Sequence, residues 1–263
     1  MGFDHPAVDF FAELRFSRRT EDDIPDGLRP PDVATAYTCQ DALVDRLIAY
    51  HGGTRIGYKV ACTHTMAQQM LKVDAPVYGC LISSALHPSP AWLQAGGFTL
   101  IGIEAEFAFE MGRDVPVSSV PYTAETIAAY VGAAFPAIEI VDHRLGDWSR
   151  YDALSLIADN AIHGAWVTGT PYAAWRGLDL GAQVVKVHVN GELSTAGQGT
   201  AALGHPLNVL AWLANALPEQ GKSLKQGDRI TTGVCTDQVP LAQSGDTVQA
   251  DFGVMGTVEI HFS

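Results

Sequence analysis

Hydrophobic and polar positions follow two different periods along this chain, and each period predicts one kind of element. Near the N-terminus apolar residues recur at helical spacing, most clearly over residues 33–51. The stripe consists of Ala42, Leu43, Leu47 and Ile48. The pair Gly52-Gly53 ends this predicted helix. After Trp92 the pattern changes largely to the period of two that is typical of strands.

The predicted elements begin with helices and continue mostly as strands, interrupted by further helices. The pattern predicts strands over 56–62, 184–189, 229–232, 247–252 and 256–262, and helices over 65–72, 123–131 and 207–217. Thr123 is the predicted cap of its helix, and Asn190-Gly191 is a strong hairpin signal. We therefore expect an α+β fold, with an N-terminal helical segment at 1–52 and a β-rich domain at 53–263.

Three glutamates interrupt apolar, strand-like sequence, which is a costly environment for a carboxylate. Glu104 and Glu106 alternate with apolar residues, so they share one face of a predicted strand, with α-carbons about 6.6 Å apart. Glu139 has apolar neighbours on both sides. Together the three carboxylates offer the hard oxygen ligands that Mg²⁺ or Mn²⁺ prefers. Taken singly, Glu104 or Glu106 is equally compatible with the wet face of an amphipathic strand.

A single lysine, Lys59, lies inside the apolar strand predicted over 56–62. A buried lysine needs a partner, a lowered pKa or a chemical role, unless its stem packs and its ammonium group reaches solvent. A divalent cation nearby disfavours the ammonium form and would make Lys59 a general base near neutral pH. The sequence thus pairs a candidate metal site with a candidate acid/base group.

Composition and charge exclude several classes of protein. The chain has 263 residues, of which 47% are hydrophobic and 17% charged, as in a globular protein with a sizeable core. Its net charge of −13 argues against nucleic acid as a partner, because phosphate backbones select positive surfaces. No apolar run predicts a membrane span, and the N-terminal residues do not form a secretory signal.

The cysteines indicate a cytoplasmic protein. They are Cys39, Cys62, Cys80 and Cys235, which are widely spaced and form no C-x-x-C pair. This spacing predicts reduced thiols and favours neither a disulfide framework nor a zinc site.

Short motifs occur in an order that is typical of one enzyme family. They are G-Y-K-V (57–60), V-D-A-P-V-Y-G (73–79), I-E-A-E (103–106), P-A-I-E-I-V-D-H-R (136–144), D-W-S (147–149), A-D-N-A (158–161), G-H-P-L-N (204–208) and V-Q-A-D-F-G-V-M-G-T-V (248–258). Each motif is weak alone, and the ordered set is specific. From about residue 35 onward the chain resembles the 2-keto-4-pentenoate hydratases, a group that includes the 4-oxalocrotonate decarboxylases and belongs to the fumarylacetoacetate hydrolase superfamily.

The resemblance implies a mixed β-sheet roll, a homo-oligomer of five or ten subunits, and a bound Mg²⁺ or Mn²⁺. The residues that match the metal ligands are Glu104, Glu106 and Glu139, and Lys59 matches the acid/base. The implied reaction, in aromatic catabolism, adds water to a 2-hydroxy-2,4-dienoate such as 2-hydroxypenta-2,4-dienoate and yields a 4-hydroxy-2-oxo acid. The substrate-binding candidates are Thr232, Tyr78 and Asp159.

The chain departs from the hydratase pattern at three positions. Val77 stands where an aspartate is usual, Ile162 replaces a serine, and His64 replaces a serine or lysine. The group that activates water is therefore open. His64 and His163 are candidates, and a structural role is the alternative for each.

Three other functions compete with hydration. Decarboxylation of a 2-oxo-3-enedioate would use the same cation and lysine, but no basic cluster in the sequence predicts a pocket for a second carboxylate. Hydrolysis of acylpyruvates usually accompanies an N-Y-x-x-H-x-x-E motif, whereas here Ala67 stands three residues after His64. A non-catalytic partner subunit is the third alternative, and the presence of Lys59 together with all three glutamates argues against it.

Overall fold

The computed structural model describes residues 5–71 and 73–263 as short helices packed on two β-sheets. The helices are α1 (Pro6–Ser17), α2 (Val33–His51), α3 (Thr65–Leu71), α4 (Ala124–Ile127), α5 (Ala153–Ala158) and α6 (Pro206–Ala216). The strands are β1 (Arg55–Ala61), β2 (Val77–Ile82), β3 (Leu86–Pro88), β4 (Ala91–Leu93), β5 (Gly102–Met111), β6 (Val131–Val141), β7 (His163–Thr168), β8 (Val184–Val189), β9 (Glu192–Gln198), β10 (Arg229–Thr231), β11 (Thr247–Asp251) and β12 (Thr257–Phe262).

The strands form one seven-stranded and one five-stranded sheet. The larger sheet has the order β2-β1-β10-β5-β6-β7-β3, and the smaller has the order β4-β12-β11-β8-β9. Most neighbours are antiparallel, while β1 with β10, β3 with β7 and β4 with β12 are parallel pairs. Both sheets are therefore mixed, and the predicted α+β class is confirmed.

Of the two N-terminal helices, α2 begins and ends where the sequence predicts. Asp32 caps α2 by accepting a hydrogen bond from Thr35 N, and Gly52 ends the helix with a φ of 78°. Buried side chains of both helices, including Phe11 and Leu43, belong to the same hydrophobic core as the sheets. The predicted boundary at residue 52 coincides with the end of α2, and the division into two domains stays a prediction.

The two faces of the larger sheet have different roles. On β5, Ile103, Ala105 and Phe107 point into the main hydrophobic core. The alternate residues point to the opposite face, where Glu104 and Glu106 lie beside a second apolar cluster. That cluster consists of Leu81, Ala108, Phe135, Ala137 and Trp166. The acidic residues thus occupy the sheet face that the main core leaves free.

The helix predicted over 123–131 is wrong at its C-terminal end. Thr123 caps α4 as expected, but the α-helix ends at Ile127 and one 3₁₀ turn follows it. Val131 already belongs to β6, where it is buried and pairs with Met111. Pairing within the sheet therefore outweighs the local helical pattern at these residues.

Two expectations about cysteines and membranes can be compared with the structure. Cys39, Cys62, Cys80 and Cys235 are buried free thiols, as predicted. Across residues 5–71 and 73–263 no helix is long and apolar enough to cross a membrane.

Strand β1 approaches β10 so closely that one position requires glycine. Gly57 has a φ of 142° and pairs with Arg229. A β-carbon at this position would lie 1.8 Å from the carbonyl oxygen of Arg229. The absence of a side chain therefore lets β10 lie between β1 and β5.

We expect Gly57→Ala to lower the free energy of unfolding by at least about 2 kcal/mol, because both the backbone angle and the overlap oppose a side chain. Urea denaturation followed by circular dichroism measures this loss. Gly96→Ala is the matched control, since a β-carbon there meets nothing within 4 Å. Equal losses in the two variants would contradict the close approach.

Candidate metal centre

Three carboxylates converge on one face of the larger sheet. Glu104 of β5 lies directly opposite Glu139 of β6, and Glu106 follows two residues later on the same face. One oxygen atom from each side chain lies within 4.8 Å of the others. Glu106 and Glu139 are fully buried, and Glu104 is partly buried. The structure thus brings together the three residues that the strand pattern singled out.

Lys59 reaches this cluster from β1. Its Nζ atom lies 3.2 Å from Glu139 Oε1 and donates a hydrogen bond of 3.1 Å to the carbonyl oxygen of Ala161. Two strands separate β1 from β6, so a flat sheet would hold these strands about 14 Å apart. The two long side chains therefore bridge the intervening strands β10 and β5.

Hydrogen bonds from β10 and the following residues fix Glu106. Its Oε2 atom accepts from the hydroxyl of Thr231 and, at 2.8 Å, from the backbone N–H of Gly233. Gly233 has a φ of 86°, and a β-carbon there would lie 2.0 Å from Thr63 Oγ1. Only glycine therefore lets this N–H reach the carboxylate.

Glu139 has a second partner on β7. The Nδ1 atom of His163 lies 2.9 Å from Glu139 Oε1, and both side chains are buried. Because a carboxylate accepts, the imidazole donates its Nδ1–H in this contact. His163 is therefore part of the support of the cluster.

Two carboxylate oxygens have no hydrogen-bond partner among the described residues. They are Glu106 Oε1 and Glu139 Oε2, both buried. An unsatisfied buried acceptor costs about 1–3 kcal/mol, and more when it is charged. Three carboxylates also face a single ammonium group. A divalent cation with oxygen ligands fits this donor set, because it would satisfy the free oxygens and balance the charge.

The pKa values show the same imbalance of charge. Burial raises the pKa of Glu104 to about 7 and that of Glu106 well above its ordinary value. Burial also opposes ionisation of Glu139, yet the ammonium of Lys59 and the hydrogen bond from His163 lower its pKa. Desolvation disfavours the charged form of Lys59, but the nearby carboxylates, Glu139 foremost, raise its pKa. A positive ion among the carboxylates would stabilise their ionised forms and reduce the repulsion between them.

A strained turn closes the site between α5 and β7. Asn160, Ala161 and Ile162 have φ values of 51°, 49° and 53°, which is three consecutive left-handed residues without glycine. Each such residue costs roughly 1–2 kcal/mol. The side chain of Asn160 holds the turn to β2 by accepting from Cys80 N and donating to Cys80 O, at 2.7 and 3.0 Å.

A cavity of about 160 Å³ opens beside Lys59 and Glu104. Its walls are mostly apolar. They comprise Ala61, Cys62, Ala67, Val141, Trp148, Leu156, Ile162, Val234 and Val239, with Thr63, His64, Tyr151 and Gly233 also lining it. His64 and Ile162, two of the positions that depart from the hydratase pattern, thus lie at this cavity.

The three substrate-binding candidates lie outside the described lining of this cavity. Tyr78 pairs with Val60 and stacks on Tyr37, so it occupies the sheet face opposite Lys59. The hydroxyl of Thr232 donates to the carbonyl of Phe107. Asp159 binds an arginine of α1 behind the turn. The cavity therefore gives no support to their predicted contact with substrate, which stays a prediction.

Two other positions singled out from the sequence, Val77 and His163, do not line the cavity. Val77 is buried at the start of β2, away from the cavity. His163 binds Glu139 and likewise does not line the cavity, which leaves His64 as the histidine that does.

Comparison with known proteins places these features in a family. Residues 58–263 match the model of the fumarylacetoacetate hydrolase C-terminal family. The chain belongs to the fumarylacetoacetate hydrolase family. It is 33% identical to the 2-keto-4-pentenoate hydratase of Paraburkholderia phymatum over 95% of this chain and 94% of that protein. It is 34% identical to the 2-hydroxyhexa-2,4-dienoate hydratase of Comamonas testosteroni over 83% of this chain and 82% of that protein.

Solved structures agree with the fold. The 4-oxalocrotonate decarboxylase of Pseudomonas putida G7, complexed with magnesium and adipate, superposes with a TM-score of 0.88 at 25% identity, covering 98% of this chain and 96% of that one. The fumarylpyruvate hydrolase of Pseudomonas aeruginosa, at a TM-score of 0.60 and 14% identity over 80% of this chain and 89% of that one, shares the fold. The resemblance to the 2-keto-4-pentenoate hydratases and the predicted mixed roll are confirmed.

We expect Glu106→Gln or Glu139→Gln to weaken Mn²⁺ binding at least about 100-fold, since loss of an outer-shell partner alone commonly costs 10–100-fold. Isothermal titration of the purified variants measures this affinity, and circular dichroism checks that the fold is intact. Glu110→Gln is the matched control, because Glu110 lies on the same strand and pairs with Arg229 away from the site. Wild-type affinity in the two site variants would exclude these carboxylates as ligands.

Proposed function

We propose that this protein is a metal-dependent hydratase that converts a 2-hydroxy-2,4-dienoate into a 4-hydroxy-2-oxo acid. One observation carries the proposal: the cluster of Glu104, Glu106 and Glu139 adjoins, through Glu104, a mostly apolar cavity that Lys59 also lines. Hydratases among the relatives of the chain support the reaction type.

The residues that would hold the cation are Glu104, Glu106 and Glu139. When bound there, a divalent cation supplies a Lewis acid for the carboxylate and 2-oxygen of the substrate. Thr231 and Gly233 keep Glu106 in place, and His163 does the same for Glu139. The chain thus positions two of the three proposed ligands, Glu106 and Glu139, through hydrogen bonds from other strands and turns.

Lys59 is the proposed proton carrier. In the first step the 2-hydroxyl loses its proton and carbon 5 gains one, which gives a 2-oxo-3-enoate. Water then adds across the 3,4 double bond, with hydroxide on carbon 4 and a proton on carbon 3. Lys59 lines the cavity beside Glu104, so its amine is placed to move these protons.

His64 is the proposed group for positioning the attacking water. It lines the cavity with Lys59, whereas His163 does not. Val77 stands where hydratases usually have an aspartate, but it does not line the cavity. This difference therefore does not alter the cavity walls.

The cavity walls favour an uncharged substrate tail. A second carboxylate, as in a 2-oxo-3-enedioate, would lie against apolar side chains such as Leu156, Ile162 and Val239. Burying an unpaired carboxylate there is costly. Among the described residues of the lining, Lys59 and His64 are the basic side chains, and both lie in the proposed catalytic machinery. Hydration is therefore favoured over decarboxylation, despite the similarity to the decarboxylase structure.

Three finer features belong to the same proposal. Mg²⁺ or Mn²⁺ is the proposed ion, supported by the oxygen-only donor set and by related structures that contain magnesium, calcium or Mn²⁺. A homo-oligomer of five or ten subunits follows from the family resemblance. A cytoplasmic location is also part of the proposal, and the four free thiols support it.

We expect metal-stripped protein to leave 2-hydroxypenta-2,4-dienoate unchanged and to regain turnover when Mg²⁺ or Mn²⁺ is restored. The loss of dienol absorbance and the formation of 4-hydroxy-2-oxopentanoate measure the reaction. 2-Hydroxyhexa-2,4-dienoate tests a longer apolar tail, and an enedioate tests the rival reaction. Carbon dioxide release from the enedioate, without hydration of either dienoate, would replace the hydratase by a decarboxylase.

We expect Lys59→Met to reduce kcat at least about 100-fold, because a positioned acid/base commonly contributes 10²–10⁴-fold. Mn²⁺ affinity should remain, since Lys59 is not a ligand. Lys186→Met is the control, as that side chain lies exposed on β8. Full turnover in Lys59→Met would remove this amine from the reaction.

A further inference from the structure

An arginine of the N-terminal helix contacts both ends of the left-handed turn. Arg15 donates through Nε to Asp159 Oδ1 at 2.6 Å and through Nη2 to the carbonyl of Asp159 at 2.7 Å. Its Nη1 atom donates to the carbonyl of His163 at 2.9 Å. One rigid guanidinium therefore bridges the residue before the turn and the residue after it.

The turn between these two contacts supplies three parts of the site. The carbonyl of Ala161 accepts from Lys59, the side chain of Ile162 forms part of the cavity wall, and His163 binds Glu139. A shift of the turn would therefore displace the partner of the proposed proton carrier and the partner of a proposed metal ligand together.

The ion pair is buried and its acidic member has a second support. The side chains of Arg15 and Asp159 are 7% and 0% exposed. The hydroxyl of Tyr151 donates to Asp159 Oδ2 at 2.7 Å, and Tyr151 also lines the cavity. A buried pair of this kind is strongly sensitive to loss of either partner.

We propose that Arg15 is a positioning residue of the metal centre: its guanidinium holds the strained turn 160–162 and thereby places Ala161, Ile162 and His163. The proposal rests on the proposed function for its effect on turnover. Helix α1 lies outside residues 58–263, which match the family model, so a residue beyond the matched domain completes the site.

Arg15→Lys tests geometry apart from charge, because an ammonium group keeps the charge but cannot span three acceptors as a planar fork does. We expect amide hydrogen exchange in residues 159–163 to accelerate at least about tenfold. With the metal-loaded protein, kcat should fall at least about tenfold, while KM changes less than about threefold.

Two variants are the controls, one just after helix α1 and one on it. Arg19→Lys changes an exposed arginine that pairs with Glu13, and it should leave exchange and kcat at wild-type values. Val8→Ala removes buried volume from α1 without touching the turn and measures the effect of a loosened helix alone. The proposal is overturned if Arg15→Lys behaves like Arg19→Lys, or if Val8→Ala with an equal loss of Tm reproduces both changes.

A second variant and two measurements that do not depend on turnover also test the role of Arg15. If Arg15→Lys does not fold, Asp159→Asn removes the same ion pair from the other side and carries the same expectations. If the wild-type protein hydrates no dienoate, the proposed function fails, but hydrogen exchange and Mn²⁺ affinity still decide the role of Arg15. Unchanged values of both in the variant would then exclude it.

Discussion

The burial of negative charge is the constraint on which the site depends. Glu104, Glu106 and Glu139 lie on one sheet face with Lys59 as their nearest cation, and two of their oxygens have no partner among the described residues. The surrounding structure compensates in part. Strand β1 supplies the lysine, and glycine at 233 lets a backbone N–H approach. Negative charge and free carboxylate oxygens remain uncompensated, and a divalent cation that prefers oxygen ligands fits both.

The central four residues could be predicted because their cost is visible locally. A charged residue inside apolar, period-two sequence stands out without knowledge of the fold. The hydrogen bonds from Thr231 to Glu106 and from His163 to Glu139 could not be predicted in this way, since both depend on strand pairing. The sequence offered His163 only as a candidate for activating water. Thr231 contacts Glu106 across 125 positions of the chain. Nothing near either residue in the sequence indicates that register.

The substrate-binding candidates show the same limit. Tyr78 stands next to Gly79, which pairs with Lys59, but alternation along the strand turns the tyrosine to the other face. The sequence contains a weak indication of the role of Arg15, because this residue follows the buried Phe11 by four positions and so lies on the same side of α1. A charged residue in a helical core stripe indicates a distant partner, and only the fold identifies Asp159 as that partner.

The distance along the chain between Arg15 and Asp159 has a consequence for biosynthesis. The two residues are 144 positions apart. Helix α1 is synthesised well before its partners, so Arg15 lacks its full set of native acceptors until the segment through residue 163 has been made. Strand β10 and Thr231 follow later still. The contacts of Arg15 therefore form late, and a partly synthesised chain carries the glutamates and the lysine without an assembled centre.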